Sequence, residues 1–139
     1  MLDYTNKKKL LMLSSYFFLI PSIYGFYHKV YYLSILSNIT TIISCNYWRN
    51  AIPGFNKNLD LYFSKLSFII YFLTGILKIR NIFIFQLGCL NTVMIFFCYS
   101  MSNHLYLVKS NNWIYFHMAF HLFVAIGQLI VIYGSYILI

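Results

Sequence analysis

Long apolar stretches alternate with short polar breaks along this chain, and the stretches are of membrane-crossing length. A helix needs about 20 apolar residues, at ~1.5 Å per residue, to cross a hydrocarbon layer ~30 Å thick. Five stretches reach or approach that length, at roughly 10–27, 30–48, 61–77, 82–101 and 113–137. The pattern predicts an all-α, polytopic membrane helical bundle with about five transmembrane helices, a single transmembrane domain over residues 1–139. Pro21 should kink the first helix, because proline lacks an N–H and its ring collides with the carbonyl four residues back. The breaks are short except at 49–60 (RNAIPGFNKNLD) and 102–112 (SNHLYLVKSNN), so consecutive helices are antiparallel neighbours. No linker, repeat or low-complexity stretch interrupts the series.

Polar residues inside the stretches recur at helical spacing. Ser34, Ser37, Thr41, Ser44 and Trp48 do so in the second stretch, and Asp60, Ser64, Ser67, Tyr71 and Thr74 in the third. His117, His121, Val124 and Gln128 do so in the fifth. Steps of three and four put each set on one helix face. In a membrane such a face turns toward the bundle interior or a water-filled cavity. Small hydroxyls at this spacing are also ordinary adhesive between membrane helices, and Gly75, Gly88, Gly127 and Gly134 suit close helix approach. Asp60, His117 and His121 differ in kind. They are ionisable groups, Asp60 at the start of a span and the two histidines one or two turns inside one, where such groups are functional candidates.

Composition supports the membrane reading. The chain is 61% hydrophobic and 9% charged, against about 25% charged in a soluble domain, so polar surface is too scarce to cover a globule. Its net charge is +8, with Asp3 and Asp60 the only acids. The basic residues sit between apolar stretches, where topology and lipid headgroups account for them, and no nucleic-acid partner is indicated. An inside N-terminus gathers Lys7, Lys8, Lys9, Arg49, Lys57, Lys65 and Lys109 on the inner side and leaves Lys29, Lys78 and Arg80 outside, which favours N-in/C-out. In either orientation Ser44, Trp48, Asp60, His104, His117 and His121 share one side of the membrane, and His28 lies on the other. Trp48 and Trp113 suit the aromatic belt.

Cys45, Cys89 and Cys98 all fall in apolar stretches and form no CxxC pair, which argues against a disulfide framework or a thiolate zinc site. The sequon Asn38-Ile39-Thr40 lies inside a span. Lys7-Lys8-Lys9 before an apolar run has the outline of a signal peptide but no small-residue cleavage site, so an uncleaved first span is expected. The excess of Ile, Phe, Tyr, Asn and Lys points to an AT-rich coding sequence, as in organelles, viruses and parasites, and leaves the particular membrane open.

Histidines at i and i+4, such as His117 and His121, can share a metal ion. A catalytic zinc needs a third protein ligand and an open water position. On the same side, His104 in the break after the fourth stretch and Asp60 are candidates for that ligand, with Cys45 a weaker one. Ser44, then Asp60, then His117-x-x-x-His121 resembles the CREST group of membrane hydrolases, which includes alkaline ceramidases and adiponectin-receptor-like proteins. In that group an early Ser-x-x-x-His pair, an Asp shortly after it and a late His-x-x-x-His pair form a zinc amidase site. The resemblance implies a metal-dependent hydrolase of lipid amides or esters. His117 and His121 would hold zinc, Asp60 would accept a proton from the metal-bound water, and Ser44 would stabilise the oxyanion. The sequence departs from the pattern at Trp48, which stands where the family has its first histidine, and in having about five spans where the family has seven.

Other readings stay open. Tight spans with minimal loops suit a non-catalytic subunit of a larger membrane complex, and His117 or His121 could contact haem or quinone, although haem sites normally pair histidines across two helices. No filter sequence or inverted repeat marks a channel or transporter. With Asp3 and Asp60 the only acids, paired-carboxylate mechanisms are excluded, and no nucleophile elbow, Walker loop or HExxH motif is present. The partners to expect are membrane lipid and other membrane subunits, and the activity is unassigned.

Overall fold

The computed structural model describes residues 3–138. Helix α1 spans Tyr4–Tyr27 and starts where the Asp3 carboxylate accepts the Tyr4 N–H at 2.7 Å. It is α-helical through Ser15, tightens to a 3-10 turn over Tyr16–Phe18, and resumes as α-helix over Leu19–Tyr27. Pro21 supplies the cause: it has no N–H for the Phe17 carbonyl and its ring pushes that carbonyl aside, so the turn before it closes with shorter bonds. The expected kink takes this form.

Helix α2 covers Tyr31–Asn50 and ends with Ala51 in the left-handed region. Helix α3 covers Phe55–Lys78, entered through Gly54 at a φ of 143°. Helix α4 covers Ile82–Leu107, capped by the Asn81 side chain accepting the Ile84 N–H at 3.1 Å. Helix α5 covers Trp113–Ile132 and runs on into a π-helical turn over Tyr133–Ile137. The described residues contain no strand. The two breaks expected to be long are largely absorbed by helix, because α3 begins at Phe55 and α4 continues to Leu107.

By length and composition α1, α3, α4 and α5 can each cross a membrane. Helix α2 is 20 residues long, but Ser34, Ser37, Thr40, Thr41 and Ser44 lower its hydropathy. Those five side chains are all buried. The opposite face, with Ile35, Ile39 and Ile42, is exposed and apolar, so the hydroxyl residues are confined to the face a membrane helix turns toward its neighbours. Several of these hydroxyls also bond carbonyls of their own helix: Ser34 to Val30, Thr40 to Leu36 and Thr41 to Ser37, each at 2.8 Å.

The helices do not close into a ring of equal contacts. Helices α4 and α5 pack along their length, α2 packs on both α1 and α3, and α1 returns to α5. Helices α3 and α4 are joined by the short turn 79–81 yet scarcely touch. Their buried faces explain this. Asp60, Ser67, Tyr71 and Gly75 on α3, and Asn91, Ile95, Cys98 and Ser102 on α4, are the positions sheltered from the surface. Tyr71 bonds to α2, while Asn91 and Ser102 bond to α5, so the two helices serve different neighbours.

Backbones approach most closely at small residues, as in membrane helix pairs generally. A Cβ built on Gly25 would collide with Ser34 Oγ of α2, and that hydroxyl is already committed to Val30. A Cβ on Gly88 would meet only Ile130 Cγ2 at 3.6 Å, an ordinary contact. Gly25→Val should therefore destabilise the bundle by about 1–3 kcal/mol through overpacking. Gly88→Ala should be neutral, or stabilising by up to about 1 kcal/mol through helix propensity. Thermal unfolding of both variants in detergent checks this, and equal shifts would show that the α1–α2 contact is looser than described.

Candidate functional site

The site begins with serines in the first helix. Ser14 and Ser15 of α1 both donate to the Leu11 carbonyl at 2.9 Å, a local bond that holds each hydroxyl on the buried face. From there Ser14 Oγ lies 2.7 Å from His121 Nδ1 on α5, and Ser15 Oγ lies 3.1 Å from Ser44 Oγ on α2. Ser44 and Asp60 of α3 line the same internal space. On the other flank, Ser102 Oγ of α4 donates to the Trp113 carbonyl at 3.2 Å and lies 3.3 Å from His117 Nδ1. The two imidazoles stack edge to face with ring centres 4.9 Å apart.

Each histidine thus meets a serine hydroxyl at Nδ1. Their Nε2 atoms carry no hydrogen bond among the described residues, and both residues line the same internal space. Trp48 does not face outward as a belt residue. Its indole lies edge-on to His117 at 5.2 Å, and its Nε1 is buried without a partner. Asp60 is only 9% exposed, and its Oδ1 likewise has no partner.

The space these groups line is a cavity of about 800 Å³ in the gap between α3 and α4, with α1, α2 and α5 contributing walls. It extends nearly the length of the bundle, from Tyr4 and Lys8 at one end to Ile79 and Phe85 at the other. Four buried polar atoms without partners belong to residues that line it: Trp48 Nε1, Asp60 Oδ1, Ser67 Oγ and Gln128 Nε2. The amide oxygen of Gln128 is engaged, accepting from Ser37 at 3.1 Å, while Tyr71 donates to the Leu33 carbonyl at 2.9 Å. The polar lining is uneven. Counting about 1.5 Å per residue, Asp60 and His117 lie within ~8 Å of the helix ends on the Trp113 side. Beyond Gln128 the walls are Gly75, Ile76, Ile79, Phe85, Gly88 and Val131, with no buried side chain lacking a partner among them.

Compared with protein-family models, with curated proteins and with solved structures, the chain finds no match in any of the three. The site must be read from its own residues. Ser44 and Asp60 come together as the spacing suggests, and so do His117 and His121. His104 stays apart. It lies on the last turns of α4 rather than in a loop, and it is exposed. Among the described residues no three His, Cys, Asp or Glu side chains stand where they could hold one metal ion.

Sequence reasoning passes over Ser14, Ser15, Asn91 and Ser102. The last two carry a legible signal, because Asn91, Ile95, Cys98 and Ser102 step by four, three and four along one face of α4. Ser14→Ala removes the hydroxyl that satisfies His121 and should cost about 1–3 kcal/mol. Thr92→Ala, whose hydroxyl bonds only the Gly88 carbonyl of its own helix, should cost no more than about 0.5 kcal/mol. Detergent unfolding curves measure both, and equal costs would remove the Ser14–His121 link from the structure's supports.

Proposed function

We propose that this chain is an integral membrane protein that holds an amphipathic lipid inside its bundle. The acyl chain lies between α3 and α4, and the polar end lies beside Trp48, Asp60 and His117. One observation carries the reading. The cavity between α3 and α4 collects Trp48 Nε1, Asp60 Oδ1, Ser67 Oγ and Gln128 Nε2, all buried and without partners, and turns apolar beyond them. In hydrocarbon an unsatisfied polar group costs several kcal/mol, so such atoms accumulate where something else satisfies them.

The size and shape agree with this reading. Small-molecule sites run from about 300 to 1,000 Å³, and this cavity stands in the upper part of that range. The gap between α3 and α4 lies at the level of the spanning helices, so entry is lateral, from the bilayer. The donor and acceptor set is mixed. Indole and amide N–H groups donate and the carboxylate accepts; with the Ser14 and Ser102 protons given to carbonyls, each neutral imidazole donates from Nδ1 and leaves Nε2 as an acceptor. A polar headgroup or linkage meets such a set, whereas a bare hydrocarbon chain meets none of it.

Protein purified in mild detergent and extracted with organic solvent should release about one lipid per chain by mass spectrometry. Val124→Trp, which fills the wall of the cavity, should release far less while keeping the helical content of the wild type. Equal lipid recovery from wild type and Val124→Trp, or none above a detergent blank, would end the proposal.

A further inference from the structure

The polar end of the cavity has a charge pattern that selects among lipids. Lys8, Lys57 and Lys65 line the same space as Asp60. Lys57 lies about one turn before Asp60 on α3 and Lys65 little more than one turn after it. Lys8 already donates to the Asn50 carbonyl at 3.3 Å, and its neighbour Lys7 donates to Asn111 at 2.6 Å. Lys57 and Lys65 make no hydrogen bond among the described residues, and both are exposed, so their flexible stems can bring the ammonium groups to a ligand at the rim. Asp60 differs from them: it is buried, and its Oδ1 has no partner.

We infer that this end takes the headgroup of a zwitterionic phospholipid, with its phosphodiester held by the lysines and its ammonium group set against Asp60. The inference rests on the lipid-binding reading above and adds the headgroup class. A purely anionic headgroup suits the lysines but brings like charge to a carboxylate in a medium that screens it poorly. An acceptor-only head such as a quinone offers no donor to Asp60 Oδ1. A purely cationic amphiphile pairs with Asp60 but meets the lysines unfavourably. A headgroup carrying both charges matches both, with the diester anion at the lysines and the cation, the end farther from the acyl chains, at the buried acid. Trp48 Nε1 is then a donor for a phosphate or ester oxygen.

The test uses the purified full chain, delipidated in maltoside detergent, with Trp113→Phe so that emission reports on Trp48 alone. Short-chain phosphatidylethanolamine and phosphatidylglycerol are the probes, because they share chains and phosphodiester and differ in the ammonium group. Wild-type binding of the ethanolamine lipid should be about tenfold tighter, equivalent to ~1.4 kcal/mol. Asp60→Asn should bring the two within about twofold, chiefly by weakening the ethanolamine lipid, since loss of a buried charge partner is felt selectively. Lys57→Gln with Lys65→Gln should weaken both. Equal binding of the two lipids to the Trp113→Phe chain, with no further substitution, removes the headgroup assignment and leaves the lipid site standing. Failure of both lipids to bind overturns the lipid site and the headgroup assignment together.

Discussion

A polar side chain inside a bilayer has no water to turn to, and everything else in this bundle follows from how its hydroxyls, imidazoles and amides are satisfied. Many bond a carbonyl of their own helix, as Thr41, Thr74 and Thr92 do, and these bonds leave helix packing unaffected. A smaller set reaches across. Ser14 to His121 ties α1 to α5, Ser15 to Ser44 ties α1 to α2, and Asn91 to the Phe123 carbonyl ties α4 to α5. Ser37 meets both Tyr71 of α3 and Gln128 of α5, so one hydroxyl joins three helices. Van der Waals contact at Gly25 and Gly127 completes the fit where backbones come closest, as expected where lipid offers no hydrophobic drive to association.

The same constraint identifies the site. Satisfying the polar face of α2 draws α3 toward α2, while α4 is drawn to α5, and the two consecutive helices part. The polar atoms that neither pairing reaches then face the gap. A carboxylate, an indole N–H, an amide N–H and two imidazoles line a space whose far walls are apolar.

Much of this was legible from residue order. Five apolar stretches that reach or approach spanning length became five long helices, four of them long and apolar enough to cross a membrane, and the stripes through Ser34, Ser37, Thr41 and Ser44, through Asp60, Ser67 and Tyr71, and through His121 and Gln128 are buried as their spacing implied. The proline effect at Pro21 was local and therefore predictable. Less legible were features set by which helices pair. A short connection between α3 and α4 implies adjacency, but adjacency in the chain does not decide which faces meet. Trp48 near a helix end reads as a belt residue until its neighbour on α5 is known to be His117. His104 reads as loop because polar residues follow the fourth stretch, although the helix carries on through them. The resemblance to zinc hydrolases rests on Ser44, Asp60, His117 and His121, which do gather on one cavity, while the third metal ligand does not join them.

The central claim is that the gap between α3 and α4 is occupied by lipid rather than closed by the protein. A phospholipid analogue with a photoreactive group midway along its acyl chain, activated in vesicles containing the full chain, tests it directly when adducts are mapped by mass spectrometry. Outward residues such as Ile23 and Ile42, 67% and 62% exposed, will be labelled in any case. The account predicts additional adducts on the sheltered residues Ile95 and Val124 that line the cavity, suppressed by excess unlabelled lipid. Labelling confined to the outward residues would contradict it.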